Sequence, residues 1–309
     1  MPNKIFELEL NFSNVCTANC IFCSRPHGVG NIPLMEPDTF NVLLEQLGDV
    51  SFEMIQTSGN GEAFLNPHYL EYVAALRREF PNIPMWTYNN FSLMTQERAK
   101  AIVHEQLFDK VHVRVDSLEK WVFERNSNLN FENVMENIRY FLEINTSIPV
   151  VVLYNDINLY YDRVRTVINK RPTRDYYRDD ELAQVKDEFA AIKEYFKPLA
   201  NAPISFCKIN PCLWGERLRA PRDEEAPCPK INVINQVIWV LPNGDCTACC
   251  YDDRQDAFIV GNIKETHILD IFYGEKRKNI IENIKNRVYK DYPCTNPRCC
   301  SFGDGIEAK

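Results

Sequence analysis

The sequence predicts an α/β fold made of successive strand–helix units with parallel strands. Predicted strands and helices alternate at least five times before residue 155, and such alternation is typical of parallel β/α units. The chain has 309 residues, of which 45% are hydrophobic. It can therefore bury the core of one large domain, or of a domain that carries an extension.

Residues 6–12 alternate apolar and polar side chains, which predicts a first, half-buried strand. The next predicted helix, 37–48, has Pro37 in its first turn and Gly48 at its end. The same periodicities predict the remaining units. The further strands are 51–57, 83–88, 111–116 and 149–154, and the further helices are 69–80, 95–106 and 131–144.

The second half of the chain is less regular. A helix is predicted over 181–196, and prolines then interrupt the sequence up to Pro227, so residues 155–227 are interpreted as the last strand–helix elements and a linker. Beyond Cys228, apolar runs at 233–241 and 245–250 flank Asn243-Gly244, which is a strong signal for a β-hairpin. A helix over 268–286 is predicted to follow.

Charge and hydropathy exclude several classes of partner. The formal net charge is −8, whereas nucleic-acid binding needs a basic face, so no nucleic-acid partner is expected. No apolar run approaches the ~20 residues of a membrane span, and the N-terminal stretch has no apolar signal region. A cytoplasmic protein without a membrane partner is therefore expected.

The cysteines predict two separate metal regions. The chain has 12 cysteines, with three near the start, none from residue 24 to 206, and nine after that gap. A chain without an export signal uses cysteines for metal more often than for disulfides. A disulfide framework would also not leave so long a gap.

The first metal region is Cys16, Cys20 and Cys23, in the spacing Cys-x3-Cys-x2-Cys directly after the first predicted strand. Three thiolates can hold three irons of a 4Fe–4S cluster and leave the fourth iron open for chemistry. A fragment of a ferredoxin is one alternative. A zinc site is another, with His27 as a fourth ligand, since structural zinc takes four closed ligands.

With Phe22 before the last thiol, this spacing closely resembles the signature of the radical S-adenosylmethionine (SAM) family. The resemblance implies a partial (β/α)6 barrel, a 4Fe–4S cluster on Cys16, Cys20 and Cys23, and SAM bound to the open iron. Reductive cleavage of SAM then gives a 5′-deoxyadenosyl radical. The resemblance also implies an external one-electron reductant such as flavodoxin or ferredoxin.

Three later motifs resemble the SAM-binding strand ends of that family. Gly59-Asn60-Gly61-Glu62 resembles its Gly-Gly-Glu-Pro element, which holds the SAM amino group, although Asn60 separates the glycines and Ala63 replaces the proline. Tyr88-Asn89-Asn90 resembles the strand end that contacts the SAM sugar, and the strand that ends in Asp116 resembles a third such element. A plain glycine turn and a solvated terminal Asp116 are the alternatives. The resemblance implies the following cofactor-binding residues: Phe22, Gly59, Gly61, Glu62, Asn89, Asn90 and Asp116.

The second metal region resembles the SPASM and twitch extensions of radical SAM enzymes. The resemblance rests on the spacing from Cys228 through Gly244 to Cys249, on Gly261-Asn262-Ile263, and on the cysteines at the end of the chain. It implies a domain division into 1–205, the partial barrel, and 206–309, a linker with a small twitch domain of a β-hairpin and a helix that holds one auxiliary 4Fe–4S cluster. The expected auxiliary ligands are Cys228, Cys246, Cys250, Cys294 and Cys299.

This region offers more thiols than one cluster needs. The Gly-x4-Cys element alone would make Cys249 a ligand. If the stretch is extended, however, Cys246 and Cys250 share one face and Cys249 points to the other, toward substrate. Surplus cysteines are otherwise small buried hydrophobes, which is the alternative.

The layout resembles that of short radical SAM enzymes that act on aminoglycoside antibiotics, a substrate class of small cationic sugars. Epimerases of that group invert one sugar carbon, and dehydrogenases oxidise an aminocyclitol alcohol. An epimerase needs a hydrogen donor, and the extra thiol of Cys249 favours this function, with Cys249 as the catalytic residue. A dehydrogenase is the first alternative and an electron-transfer iron–sulfur protein the second. Acidic residues at Asp252, Asp253 and Asp256 would suit a cationic substrate or form a solvated turn.

Overall fold

The computed structural model describes residues 4–21, 23, 34–159, 177–209, 228, 231–249 and 258–288. Phe22, Cys250, Cys294, Cys299 and the acidic residues of 252–256 lie outside this part of the chain. The described residues divide into two compact units. The first draws on Met1–Cys16, Pro26–Thr87 and Arg222–Thr295, and the second on Thr17–Arg25 and Tyr88–Pro221.

The elements follow one another along the chain in the order that the sequence predicts for β/α units. The strands are β1 (Lys4–Leu10), β2 (Ser51–Gln56), β3 (Met85–Asn89), β4 (Lys110–Arg114), β5 (Val150–Asn155), β6 (Ile204–Ile209), β7 (Val237–Val240), β8 (Asp245–Thr247) and β9 (Ile259–Asn262). The helices are α1 (Pro37–Leu47), α2 (Tyr69–Glu79), α3 (Gln96–His104), α4 (Lys120–Ser127), α5 (Phe131–Ile144), α6 (Asp179–Leu182), α7 (Phe189–Phe196), α8 (Ile231–Gln236), α9 (Ile268–Phe272) and α10 (Glu275–Lys285).

The sheet of the first unit has the strand order β3-β2-β1-β7-β8-β9. β1 pairs in parallel with β2 on one side and with β7 on the other, while β7, β8 and β9 pair antiparallel. The predicted hairpin turn joins β7 to β8, and Gly244 adopts a φ of 90° there, which favours glycine. The hairpin thus extends the parallel sheet through β1.

Aromatic rings fill the space between this sheet and its helices. The rings of Phe40 and Tyr72 stack with centroids 4.1 Å apart, and Phe12 lies 5.4 Å from Tyr69. The buried Tyr69 hydroxyl shares hydrogen bonds with the Thr57 and Thr87 hydroxyls at 2.9 and 2.8 Å. The ends of β2 and β3 are therefore fixed to α2, which positions the loops that follow them.

The second unit contains the parallel strands β4, β5 and β6, paired in sequence order. Its helix α5 begins at Asn130, whose side chain caps the backbone of Asn133, and it buries one apolar face that includes Ile138 and Phe141. β6 and α4 were not predicted. β6 has the exposure pattern of an edge strand, so its sequence lacks the regular alternation of a half-buried strand.

Two predicted elements near the end of the chain are wrong in part. Residues 233–236 belong to helix α8 rather than to a strand, and the predicted helix over 268–286 is interrupted at Tyr273 and Gly274. Buried Arg277 of α10 explains the first difference, because its guanidinium donates to the backbone carbonyls of Ile234 at 2.7 Å and Val237 at 3.3 Å. These bonds satisfy carbonyls at the end of α8. The contact with Arg277, which is distant in the sequence, thus favours a helix over a strand at 233–236.

The predicted division between residues 205 and 206 falls inside β6, which pairs with β5. The domain division stays a prediction. Among the described residues, no helix is both long enough and apolar enough to cross a membrane.

Candidate cofactor site

Cys16, Cys20 and Cys23 lie on the loop after β1, and all three side chains are partly exposed. Cys16 belongs to the first unit, whereas Cys20 and Cys23 belong to the second. Three thiols within eight residues of one loop are a donor set suited to an iron–sulfur cluster. In the part of the chain that the structure describes, no three His, Cys, Asp or Glu side chains are gathered as they would be around a single metal ion.

In the first unit, the glycine-rich loop after β2 packs against the segment that leads to Cys16. The Asn60 amide donates to Asn11 Oδ1 at 2.7 Å, and the Glu62 amide donates to the Val15 carbonyl at 2.8 Å. A Cβ on Gly61 would lie only 2.2 Å from the Ser13 carbonyl oxygen. Only glycine fits at position 61, because the backbone of Ser13 approaches it so closely. A plain glycine turn would not need this close approach.

The carboxylate of Glu62 is buried at the end of this loop. It accepts a hydrogen bond from the Phe64 amide at 3.3 Å and so caps the short 3₁₀ turn Ala63–Leu65. A buried carboxylate can accept hydrogen bonds from an ammonium group. Its position therefore fits the predicted contact with the SAM amino group, which stays a prediction.

Substituting alanine for Gly61 tests this close approach. We expect Gly61→Ala to destabilise the fold by about 1–3 kcal/mol, the range of overpacked cores, because the Val15 carbonyl also lies only 2.4 Å from the added Cβ. Gly48→Ala is the matched control, since its nearest neighbour would be 3.5 Å away and its φ is −57°. Chemical denaturation should show a loss for the first variant and no loss for the second. Equal stability of both variants would contradict the packing argument.

In the second unit, the end of β3 contacts the cysteine loop. Asn90 Nδ2 donates to Thr17 Oγ1 at 3.0 Å, and the Thr17 and Ser92 hydroxyls share a hydrogen bond of 2.8 Å. Asn89 Oδ1 accepts from the Phe91 amide at 2.6 Å. The two asparagines predicted to bind the SAM sugar thus also shape the turn after β3 and hold the loop between Cys16 and Cys20.

Asp116 lies after β4 and is almost fully buried. Its carboxylate accepts from Arg114 Nε at 3.1 and 3.0 Å, and its Oδ1 also accepts from the Asn155 amide at 3.1 Å. The alternative of a solvated terminal aspartate is therefore wrong. Burial lowers the pKa of Arg114, but the charges of Asp116, Cys20 and Cys23 outweigh it and the pKa rises. Sequence reasoning missed Arg114, although its place in a strand end beside Asp116 was a signal.

The described thiols of the second metal region, Cys228, Cys246 and Cys249, are all buried in the first unit. Cys246 lies within β8, and burial together with the charge of Asp245 raises the pKa of its thiol. This environment favours the neutral thiol, so ligation of iron by Cys246 would have to overcome it. The roles of these thiols in an auxiliary cluster stay predictions.

The condition that the stretch from Cys246 is extended does not hold at Ala248 and Cys249, and Cys250 lies outside the described residues. β8 ends at Thr247 after a bulge between Cys246 and Thr247. Thr247 Oγ1 donates to the Cys249 carbonyl at 3.2 Å and accepts from the Cys249 amide at 3.4 Å, which closes a turn. Serine and threonine side chains commonly compete with the strand ladder in this way.

The register of the strands places Cys246 and Thr247 on opposite faces of the sheet. Thr247 lies opposite Trp239, and Trp239 lies opposite Glu9, so these three side chains share one face of the sheet. Cys246 lies opposite Val240 and Leu10, on the other face. Thr247, whose hydroxyl bonds to the backbone of Cys249, is thus on the face that carries polar groups, while Cys246 faces the apolar core. The direction of the Cys249 thiol stays a prediction.

The pair of Glu9 and Trp239 was not predicted. The indole Nε1 of Trp239 donates to Glu9 Oε2. Burial raises the pKa of Glu9 to about 8, the indole bond opposes this rise, and the charge of Glu7 adds to it. The alternation of Glu7 and Glu9 with Leu8 and Leu10 was the available signal, because it places two carboxyl groups on one face of β1.

Comparisons with known proteins agree with this site. Residues 10–159 match the family model "Radical SAM superfamily", and residues 228–301 match the SPASM model, "Iron-sulfur cluster-binding domain". The two domains confirm the predicted fold class and indicate a 4Fe–4S cluster and an auxiliary cluster. The SPASM match supports an iron–sulfur extension of the SPASM type, and the twitch form with a single auxiliary cluster stays a prediction.

Solved structures show the same fold. BtrN in complex with AdoMet and 2-DOIA has a TM-score of 0.54 and 17% identity, over 99% of this chain and 95% of BtrN. Native anSMEcpe with bound AdoMet has a TM-score of 0.60 and 14% identity, over 90% of this chain and 83% of its own. SuiB of Streptococcus suis, bound to S-adenosylmethionine, has a TM-score of 0.58 and 12% identity, over 90% of this chain and 68% of its own. No curated protein matches the sequence.

Proposed function

We propose that this protein, a radical SAM enzyme with a SPASM iron–sulfur extension, inverts one sugar carbon of an aminoglycoside, in the manner of a neomycin C to neomycin B epimerase. The observation that carries the proposal is the position of Cys249. Its backbone is fixed by Thr247, which shares a sheet face with Glu9 and Trp239. We infer that the Cys249 thiol serves this polar face and reaches a sugar bound there, whereas the thiol of Cys246 faces the core.

The residues of the chain have the following proposed roles. Cys16, Cys20 and Cys23 hold the cluster, and the loop from Gly59 to Glu62 binds the amino group of SAM. When bound, the cluster and SAM supply a 5′-deoxyadenosyl radical. Once this chemistry has removed a hydrogen atom from one sugar carbon, Cys249 would return a hydrogen atom to the opposite face. The resulting thiyl radical regains its S–H bond with one proton and one electron from an external reductant.

The polar face of the first unit supports a sugar substrate. Glu7 and Glu9 offer carboxyl groups there, and the Trp239 indole N–H orients Glu9. Hydroxyl and ammonium groups of an aminoglycoside need such acceptors. Return of hydrogen also requires the donor within near-contact distance of the radical carbon, which a fixed turn provides better than a mobile side chain.

A dehydrogenase that oxidises an aminocyclitol or aminoglycoside alcohol is the second candidate. Glu9 favours it specifically, because a carboxyl group with a pKa of about 8 can accept a proton near neutral pH. The auxiliary cluster would then accept the electron. The likeness to BtrN does not choose between the two reactions, because at 17% identity it shows the fold alone.

Turnover in heavy water separates these functions. The reconstituted enzyme is given SAM, a reductant and neomycin C, and the product mass is measured. An epimerase adds one mass unit, because a thiol hydrogen exchanges with solvent, without net oxidation of the sugar. A dehydrogenase product lacks two hydrogens. Absence of 5′-deoxyadenosine under all conditions would leave only the electron-transfer protein.

Iron content tests the two-cluster assignment separately. We expect anaerobically reconstituted protein to hold about eight irons, from two four-iron clusters. Changing Cys16, Cys20 and Cys23 together to alanine should leave about four, because the auxiliary ligands remain. Iron and labile sulfide assays make the measurement. A triple variant without any cluster would contradict an independent auxiliary site.

A further inference from the structure

One cation stands at the end of β4 in a fixed orientation. Arg114 Nε donates to both carboxylate oxygens of Asp116, and the Arg114 side chain is 29% exposed, whereas Asp116 is 4% exposed. The single Nε–H is thus shared between the two oxygens of a buried carboxylate, and a guanidinium stays charged at all accessible pH values. Arg114 is therefore a permanent and oriented positive charge.

Asp116 is in turn held by the neighbouring strand. Its Oδ1 accepts from both the amide and the Nδ2 of Asn155, at 3.1 and 2.9 Å. Four hydrogen bonds thus fix the carboxylate, and through it the guanidinium. This is more anchoring than a surface ion pair receives.

The cysteine loop is anchored beside the same elements. The Asn19 and Ile21 amides donate to the carbonyls of Ser127 and Asn126 at the end of α4, at 2.7 and 2.9 Å. Cys20 packs against an apolar cluster that contains Ile21 and Ile157, and Ile157 follows Asn155 by two positions. The Cys23 amide donates to the Cys20 carbonyl at 3.1 Å, which keeps the two cysteines together. Both therefore lie by the ends of β4 and β5, where Asn155 and Asp116 hold Arg114.

We propose that Arg114 raises the reduction potential of the SAM-cleaving cluster by placing a fixed cation beside two of its three thiolate ligands. Reduction adds one negative charge to a cluster that is already anionic. A nearby cation in a partly buried site stabilises the reduced form more than the oxidised form. Asp116 orients the guanidinium of Arg114, but its own negative charge also offsets part of the effect of Arg114 on the reduction potential.

This arrangement predicts opposite effects of two substitutions. Arg114→Gln removes the cation, and the ratio of reduced to oxidised cluster at a fixed potential should fall about tenfold, which is ~59 mV for one electron. Asp116→Asn keeps an acceptor for Asn155 but removes the opposing charge, so the ratio should rise. Arg114→Lys keeps the charge and should stay within about twofold of the wild type.

The experiment is a redox titration of the reconstituted holoenzyme without SAM, followed by electron paramagnetic resonance. The spectrum of the Cys16, Cys20 and Cys23 triple alanine variant is subtracted to remove the auxiliary cluster. Arg125→Gln is the matched control, because Arg125 is a partly buried arginine of the same unit that pairs with Glu181. This control should not change the potential.

Opposite shifts in Arg114→Gln and Asp116→Asn support the proposal. Shifts in the same direction, as a merely structural role would cause, overturn it. So does an unchanged potential in Arg114→Gln combined with weaker SAM binding, which would make Arg114 a SAM ligand only. If Arg114→Gln does not take up iron, Arg114→Lys and Asp116→Asn decide by the same criteria. No sugar is used, so the outcome is independent of the proposed epimerase activity.

Discussion

The rate of SAM cleavage by Cys20→Ala is expected to fall by at least about 100-fold. Mutation of a residue that only hydrogen-bonds to a metal ligand already costs about 10–100-fold. We assign Cys20 as a direct ligand, so its loss should cost more. The measurement is 5′-deoxyadenosine formed per enzyme under excess reductant. Cys16→Ala and Cys23→Ala should behave alike, because each removes one of three thiolates from the same cluster.

Cys207→Ala is the matched control for this series. Cys207 lies on β6 opposite Leu153 and is partly exposed, and its sequence context contains no cluster motif. Its removal should leave cleavage within about twofold of the wild type, as expected for a substitution away from special features. Cleavage at the wild-type rate in Cys20→Ala would mean that the open cluster is assigned to the wrong residues.

The parallel α/β fold was predictable because its signals are local. Strand alternation and capping residues such as Thr95 and Asn130 lie within a few positions of the elements that they define. Helix α8 was not predictable in this way, since its end depends on Arg277, more than 40 positions away. Long-range bonds of this kind override local preference.

The candidate site shows the same contrast. The cysteine spacing and the glycines at 59 and 61 are informative in the sequence, because metal ligands and close backbone approaches restrict residue type. The partners of Asp116 and of Glu9 lie on neighbouring strands. Their importance depends on strand register, which the sequence alone does not specify for a sheet with both parallel and antiparallel pairs.

The two-face argument for Cys249 depended on an extended strand, whereas Thr247 closes a turn after β8. The register of β1, β7 and β8 separates Cys246 from Thr247 and does not extend to Cys249. The orientation of the Cys249 thiol therefore stays a prediction, supported by the bond of its backbone to Thr247.

Cys249→Ala is expected to keep the iron content and to cleave SAM when the sugar is present, yet to form no inverted product. The physical reason is that cleavage and abstraction precede the return of hydrogen, so only the last step loses its donor. Cys249→Ser should also be inactive, because an O–H bond is too strong to give its hydrogen atom to a carbon radical. Serine keeps the size of the side chain and thus controls for packing around the Thr247 turn.

The measurement combines three assays on each protein, namely iron per chain, 5′-deoxyadenosine, and the stereochemistry and deuterium content of the sugar after reaction in heavy water. The sugar produced by the wild type and by Cys207→Ala should carry one deuterium at the inverted carbon. Loss of about four irons in Cys249→Ala would assign Cys249 as a ligand of the auxiliary cluster, and the donor role would pass to Cys250 or Cys246. If Cys249→Ala keeps its full iron content and still forms the inverted product, Cys249 is not the donor, because the hydrogen atom must then come from another group.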